Sequence, residues 1–563
     1  MNKILKILTR SHKLYIFYTV LLIIITTIFE LFIFSLLPLI LNFFTDAKEE
    51  SSLIKDFAYS FYNGPTSIFV VFIFAFIIRS LLSVVLSFKK HGLARNLNQY
   101  LSKEIFKRYL YQRYDFFLKH NSGSFLSKIT TEVDKFCGNL ISPIINLVTE
   151  TFLAGIILIF LMINYFYETI LFSLLLIAFL SIFYSTVRKK LKFYGDQKYI
   201  FEAEKIKEMQ KSFYVIQNIK IDHLEDNFVK KFTDANSTTN KTNYYLGIIM
   251  ELSKPLIELF LIGIVFVIIF VFYFYLNLEK NQILSMIALF VIGMFRLLPS
   301  CNRILISYNE IRFNSFLIDS IYETLNLKDY QDENLNEKDV SFNNSIKLNN
   351  ISYDYPDGTQ VLEELNIEIL KNQKLGILGK SGTGKSTLLN ILCNLLKPKT
   401  GSIEIDNNMI KFPNKAFQKK IGYVPQKVYL TDESILSNII FGQNLENLDV
   451  KLFKKVLDQT NLTQVINNLP EKENTIIGER GIKFSGGQQQ RLGIARALYK
   501  NPEILIFDEA TNSLDTETED DIINTIYNLD KKITIIFVSH NKSLINKCDR
   551  IYEIENRKSK LIK

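Results

Sequence analysis

Six stretches of this chain are long and apolar enough to cross a membrane, and all of them end before residue 300. They run near Leu14 to Phe43, Thr66 to Phe88, Asn139 to Ile163, Thr169 to Val187, Leu246 to Leu276 and Ile283 to Leu298. A hydrocarbon core of about 30 Å needs roughly 20 residues of helix. No water reaches the backbone there, so each run must satisfy its own N–H and C=O groups as a helix. Buried helices of a water-soluble protein would carry a polar face, and Leu21 to Ile28 and Leu259 to Phe274 show none. Only a few residues around Asn164 separate the third and fourth runs, which predicts a tight hairpin.

The formal charge of +9 would suit a nucleic-acid partner, but the placement of the charges gives a different reason for it. Lys3, Lys6, Arg10 and Lys13 precede the first run, whereas only Lys48 and Lys55 lie between the first two. The second connection carries Lys89, Lys90, Arg95, Lys103, Lys107, Arg108 and Arg113, and the fourth carries Arg188, Lys189, Lys190 and Lys192. Cytoplasmic loops collect Lys and Arg. Both termini and both basic connections are therefore expected in the cytosol, and no nucleic-acid partner is expected. The apolar run behind the basic start is too long for a signal peptide and is expected to be retained as an anchor. Cys137, Cys301, Cys393 and Cys548 form no CxxC pair, so neither a disulfide framework nor a zinc site is indicated.

The basic connections, residues 89–136 and 188–245, read as helical hairpins reaching roughly 30 Å beyond the membrane. Their tips are expected near His120 to Ser124, where Asn-Ser-Gly breaks the pattern, and near Phe213 to Lys220. A polar stretch from about Leu327 to Asn349 reads as a linker. The expected organisation is an all-α transmembrane domain of six helices over 1–325, a linker over 326–344 and an α/β domain over 345–563.

In the second half, Lys374 to Leu378 reads as a buried strand running into Gly379, Lys380, Ser381, Gly382, Thr383, Gly384, Lys385, Ser386 and Thr387. This is GxxxxGK[ST] with an apolar helix, Leu388 to Leu396, behind it. Glycines let backbone N–H groups wrap phosphates at a helix N-terminus; Lys385 neutralises the β- and γ-phosphates, and the Ser386 hydroxyl ligates Mg²⁺. A second strand, Ile504 to Phe507, ends in Asp508 and Glu509, the acids expected to hold Mg²⁺ and to polarise the attacking water. Asp508 follows Lys385 by 123 residues, too many for one crossover, so a subdomain is inserted between them. It contains Phe484, Ser485, Gly486, Gly487 and Gln488, followed by a basic helix from Gln490 to Tyr499.

The FSGGQ segment resembles the LSGGQ signature of the ATP-binding cassette (ABC) superfamily, with Phe in place of the usual Leu. The resemblance implies that Tyr355 stacks on adenine and that Gln426, in Tyr-Val-Pro-Gln, senses Mg²⁺ and the γ-phosphate. It likens Thr475 to Gly481 to the exporter X-loop and Asp515 to the D-loop residue, and it makes His540 the switch histidine. Every catalytic position holds the competent residue. In this family the signature of one subunit closes the nucleotide of the other, which implies a dimer, most simply with a second copy of this chain. The membrane part resembles the six-helix exporter arrangement, in which the two inner tips are coupling helices.

The expected spans contain Glu30, Arg79, Glu150, Glu251, Lys254, Glu258 and Arg296, with Arg303 just beyond. Intramembrane charges are costly and mark either ion pairs or functional sites. Phe295 to Ile304 with the following Ser-Tyr is similar to the sixth helix of ABC flippases for lipid-linked oligosaccharides of bacterial protein N-glycosylation. That similarity implies that Arg79, Lys254, Arg296 and Arg303 receive a diphosphate, with Lys254 standing where an Arg is expected. A lysine keeps the charge and loses the bidentate fork. Ser51 to Asn63 has apolar residues at helical spacing and reads either as an external helix on the membrane, which in those flippases engages a polyprenyl tail, or as a packed loop. The expectation is a homodimeric ABC exporter of the inner (cytoplasmic) membrane that uses ATP and Mg²⁺ to flip a polyprenyl-diphosphate-linked oligosaccharide. Export of another lipid, a peptide or a drug is the alternative. A non-transport ABC ATPase would need two cassettes or no spans.

Overall fold

The computed structural model describes residues 2–45, 65–120, 122–275, 280–328, 330, 340–355, 357–478, 484–510, 516–540 and 545–563. The segment Ser51 to Asn63 lies outside them. The chain forms two compact units, one of residues 1–110 and 123–327, the other of residues 111–122 and 328–563.

The first unit is helical. Its long helices are α1 (Arg10–Thr45), α2 (Pro65–Leu110), α3 (Ser142–Asn164), α4 (Phe166–Tyr214), α5 (Glu225–Tyr275) and α6 (Lys280–Phe313). At 1.5 Å per residue, α2, α4 and α5 measure about 70–75 Å, more than twice the hydrocarbon thickness. The basic connections are thus continuous extensions of the membrane helices. Among the described residues, five segments are long and apolar enough to span: 10–36, 68–110, 123–164, 166–187 and 289–313. Helix α5 runs through the fifth expected span, Leu246 to Leu276, as far as Tyr275. Tyr165 alone separates α3 from α4, the tight hairpin that Asn164 predicts.

Helix α2 packs on α1, α5 on α4, and α6 on α3. The shared core gathers Phe34, Ile157, Phe160, Phe172, Leu261 and Phe290. Phe179 stacks on Phe260 with ring centroids 3.9 Å apart. Outward, Phe74, Ile77, Phe88, Leu259 and Phe266 stay exposed, apolar surface that a bilayer would cover.

The tips differ in detail from the sequence expectation. The first is a short helix, Tyr114–Lys119, ended at His120 by an extended backbone with φ −122° and ψ 145°. Ser122 to Ser124, expected in a turn, already lie in the next helix, Ser122–Ser127. The break therefore comes before the Ser-Gly pair, because His120 itself leaves helical dihedrals. The tip belongs to the second unit, where Arg113 lies over the rings of Tyr330 and Phe412. The second tip is the six-residue helix Ile216–Ile221, with Phe213, Tyr214, Ile216 and Ile221 exposed.

The second unit is α/β. One sheet is four-stranded in the order β2 (Gln360–Leu370), β1 (Ser345–Asp354), β4 (Thr400–Ile405), β5 (Asn408–Met409), with every pairing antiparallel. The other is six-stranded in the order β10 (Lys558–Leu561), β9 (Arg550–Glu555), β3 (Lys374–Gly379), β8 (Thr534–Val538), β7 (Ile504–Asp508), β6 (Ile421–Val424). From β9 to β6 it is parallel. Strands β7 and β8 are buried on both faces, as their unbroken apolar runs require. Phe342, inside the expected linker, is buried in the core of this unit, so the ordered fold starts before Ser345.

Candidate functional site

In a parallel sheet, ligands collect at the carboxyl ends of the strands. Strands β3, β8, β7 and β6 are neighbours and all point the same way, so four loops meet there: residues 379–384, 539–540, 508–509 and 425–426. The motifs are spread over residues 379–540 of the sequence; sheet order places them side by side.

The glycine loop after β3 leads into helix α7 (Lys385–Leu392), with Gly384 as its N-cap at φ +95°. Gly382 has φ +83°, and both angles suit glycine far better than any other residue. A Cβ on Gly384 would stand 2.7 Å from Val361 Cγ1, and one on Gly379 would stand 2.7 Å from Thr383 Oγ1. Thr383 Oγ1 donates to Lys380 O at 2.9 Å. Lys385 Nζ donates to the carbonyls of Gly379 and Lys380 at 2.7 and 3.0 Å and pairs with Glu509 Oε1 at 3.1 Å. Ser386 and Thr387 follow in the first turn of α7, and Thr387 Oγ1 lies 3.0 Å from the hydroxyl of Tyr355, just past β1.

Across the loop, Glu509 is held in the left-handed region at φ 47°, with its N–H donating to Val538 O at 2.8 Å. Such a conformation costs a non-glycine residue about 1–3 kcal/mol and persists only where surroundings enforce it. It brings the carboxylate to both Lys385 and Gln426, whose Nε2 donates to Glu509 Oε2 at 3.1 Å. Asp508 is buried, and burial, with Glu509 beside it, holds its carboxyl above the usual range against the opposing effects of Tyr423 and Lys385. The Tyr423 hydroxyl donates to Asp508 Oδ2 at 2.8 Å. Burial raises that phenol as well, with the Asp508 charge adding to it. Tyr423 escaped the sequence reading although it stands three residues before Gln426 in the same Tyr-Val-Pro-Gln run.

His540 is exposed just beyond β8, and the preceding Ser539 N–H bonds to Ile377 O of β3 at 3.3 Å. Asp515 lies outside the described residues, as do residues 479–481 at the end of the X-loop resemblance. Ser485 caps helix α8 (Gly486–Leu498), and Ser485 and Gln488 bond each other's backbone reciprocally at 3.0 and 3.3 Å. Gly486, Gly487 and Gln488 form the first turn of α8, so the signature presents a helix N-terminus, a place suited to an anion. Cys393 is buried and its thiol is pushed up to about 12, which removes it as a nucleophile at neutral pH.

The donor set, a glycine-rich loop at a helix N-terminus with an ammonium inside it, fits a polyphosphate. The desolvated Asp508 next to Glu509, with the Ser386 hydroxyl across the loop, fits a divalent cation bound between them.

The membrane unit holds a second set of charges. Glu30 of α1 accepts from Arg79 Nε of α2 at 2.7 Å and also pairs with Arg296 of α6. Arg303 Nε, one further stretch along α6, pairs with Glu150 Oε1 of α3 at 2.7 Å. Three of the four residues expected to receive substrate are therefore in ion pairs. Lys254 does not join them: it is exposed on α5 and makes no ion pair or hydrogen bond among the described residues. Lys90, unremarked in sequence except as a loop charge, donates to Asn146 Oδ1 at 3.2 Å and lies in electrostatic reach of Glu150 and Arg303. Its spacing was the available signal. Eleven residues from Arg79 to Lys90, and seven from Arg296 to Arg303, each return a helix to nearly the same face.

A helical membrane unit followed by a P-loop unit with an inserted signature subdomain defines a membrane-embedded nucleoside triphosphatase. The family model described as ABC transporter transmembrane region matches residues 16–298, and the one described as ABC transporter matches residues 362–512. The chain belongs to the ABC transporter family, as an exporter-type half-transporter whose cassette hydrolyses ATP to drive transport. It is 27% identical over 490 residues to an "ATP-dependent lipid A-core flippase" of Coxiella burnetii, covering 86% of this chain and 82% of that one. It is 38% identical over 221 residues to an "Uncharacterized ABC transporter ATP-binding protein YwjA" of Bacillus subtilis, covering 39% and 38%. A solved structure of a "bacterial Atm1-family ABC exporter with ATP bound" has the same fold, with TM-score 0.78, 21% identity and coverage of 98% and 95%.

Proposed function

We infer that this half-transporter works as a homodimer in the inner membrane, termini in the cytosol, and flips a polyprenyl-diphosphate-linked oligosaccharide. The observation that carries the reading is the gathering of Arg79, Arg296 and Arg303, with Lys90 nearby, on helices α2 and α6 against two carboxylates, Glu30 and Glu150, among the described residues. Among the described residues, these four cations facing two anions leave a surplus of two positive charges within the cluster. A diphosphate diester carries two negative charges, and arginine forks match phosphate oxygens. Lys254, lying apart from this cluster, is assigned a lesser part, as a point charge met elsewhere on the route.

In the cassette, Tyr355 would stack on the adenine, residues Gly379 to Thr387 would wrap the phosphates, and Lys385 would leave Glu509 for the γ-phosphate. Glu509, turned by its left-handed backbone and held by Gln426, would then orient and polarise the attacking water, with His540 beside the γ-phosphate. Ser386, Gln426 and Asp508 are assigned to Mg²⁺, which when bound neutralises charge on the β- and γ-phosphates. Ser485 to Gln488 and Asp515 would close the nucleotide of the partner subunit. Mixed dimers test that arrangement. Pairing a Ser485→Arg subunit with a Lys385→Ala subunit should leave one working site of two, and complete loss would refute closure in trans.

A second reading, export of a different lipid, is favoured by the full-length similarity to a protein named as a lipid A-core flippase. Proteoliposomes separate the two. ATP-dependent loss of a polyprenyl-diphosphate-linked glycan from the cytosolic-equivalent leaflet supports the first reading. Flipping of lipid A-core with no movement of the glycan supports the second and overturns the first.

A further inference from the structure

The carboxylates of the membrane cluster need a role of their own. Glu30 and Glu150 are both more than nine-tenths buried, and they hold all three arginines. The cluster is not closed: Glu150 Oε2 and Arg296 Nε are buried with no hydrogen-bond partner among the described residues. A buried donor and a buried acceptor left open at one site are costly unless a ligand or water completes them. Arg303 also acts electrostatically on Glu30, so the two pairs form one field rather than two separate bridges.

We propose that Glu30 and Glu150 are internal counter-ions that occupy the positions of two phosphate-type groups, yield the arginines to an incoming anionic headgroup and take them back as it leaves. The proposal rests on the flippase reading above and adds which residues tune it. A carboxylate presents two oxygens to a guanidinium in the same fork that a phosphate uses. The headgroup therefore binds by exchange for an existing partner and not by simple addition. Exchange keeps affinity moderate, and two carboxylate-held positions call for a ligand with two anionic groups, as in a diphosphate. A site of bare arginines would bind more tightly and release more slowly, and uniform tight binding lowers the half-saturating concentration without raising turnover. Glu30 and Glu150 are thus specificity and release residues rather than catalytic ones.

The test uses the full-length dimer in proteoliposomes, with polyprenyl-diphosphate-linked N-acetylglucosamine as the probe and flipping rate followed against its content. Glu30→Gln and Glu150→Gln should each lower the half-saturating probe content on the order of tenfold, as expected for removing one charged competitor, and should also slow the maximal rate. Glu30→Asp and Glu150→Asp keep the charge and should restore both parameters toward wild type. Unchanged or raised half-saturation in the Gln variants, with wild type flipping normally, overturns the counter-ion role and leaves the flippase reading standing. No flipping of the probe by wild type overturns both. Should one Gln variant fail to assemble, the other decides. Failure of both with assembled Asp variants marks the carboxylates as structural and overturns the proposal.

Discussion

The cassette and the membrane unit use buried charge in opposite ways. In the cassette, Lys385 follows β3, Gln426 follows β6, and Asp508 and Glu509 lie at the end of β7, all in one run of parallel strands; Lys385 and Gln426 each meet Glu509 at 3.1 Å, and Tyr423 meets Asp508 at 2.8 Å. The field there is fixed by the sheet, and one acid, Glu509, is held in a strained backbone to complete it. In the membrane unit, Glu30, Arg79, Glu150, Arg296 and Arg303 come from four helices, with open polar atoms and excess positive charge. An interlocked site suits one invariant chemistry, and an incompletely bonded one suits a cargo that must enter and leave.

The largest effect that would break this contrast lies in the cassette. Glu509→Gln keeps the shape of the group proposed to orient the water and deletes its charge, so ATP binding should persist while steady-state hydrolysis falls by about 100-fold or more. Lys385→Ala should instead weaken nucleotide affinity, because it empties the phosphate cradle. Near wild-type hydrolysis by Glu509→Gln would mean that the interlocked carboxylate is not the hydrolytic group.

A smaller pair of changes sharpens the contrast through glycine. Gly384→Ala places a Cβ against Val361 at a φ of +95°, and about 1–3 kcal/mol of strain should appear as roughly tenfold or greater loss of ATP affinity. Gly155, in α3, has nothing within 4 Å of its absent Cβ, so Gly155→Ala should leave transport unchanged and stabilise the helix by about 0.5–1 kcal/mol. Nucleotide titration and thermal unfolding of both variants check the two outcomes. Equal sensitivity at the two positions would remove the distinction between a fixed loop and a tolerant helix.

The smallest expected effect is on stability. Burial holds the Asp508 carboxyl above its ordinary range, so its neutral form is favoured in the folded protein. Its contribution to stability is present below the ordinary carboxylate range and is lost as pH rises through the raised value. Asp508→Asn should therefore raise the unfolding temperature of the nucleotide-free protein by about 2–4 °C at pH 7, with an advantage that shrinks on acidification. Activity should fall in the same variant if Asp508 holds the cation as proposed, since a neutral amide oxygen is a weaker ligand than a carboxylate. A lower unfolding temperature at pH 7 would show that Tyr423 and Lys385 more than repay the desolvation.

Much of the cassette was legible because its chemistry is local. Gly379 to Thr387 carries its own turn, cap and cation within nine residues, and an apolar strand before two acids marks Asp508 and Glu509. What stayed hidden was side-by-side placement: nothing in the spacing joins Gln426 to Glu509, which sheet order makes neighbours. The membrane helices were legible as helices, since length and apolarity decide that alone, and continuous extensions followed from their basic ends. Their mutual packing was not, because apolar faces all round give no register. Pairing of Arg79 with one of the glutamates could be named as one option, yet only helix packing selects Glu30 and sets Lys254 apart.

The cassette supplies energy while the α2–α6 cluster is proposed to grip the headgroup, and one ratio measures that division of labour. In proteoliposomes, the lipid-linked glycan flipped per ATP hydrolysed is compared between wild type and the Arg296→Gln, Arg303→Gln double variant. Loss of two guanidinium–phosphate contacts, each on the order of 1.5–3 kcal/mol, should reduce the ratio at least tenfold, and the Arg→Lys double variant should keep part of it. An unchanged ratio in the Gln double variant would contradict the account and leave Arg296 and Arg303 as ion-pair partners of the helix bundle.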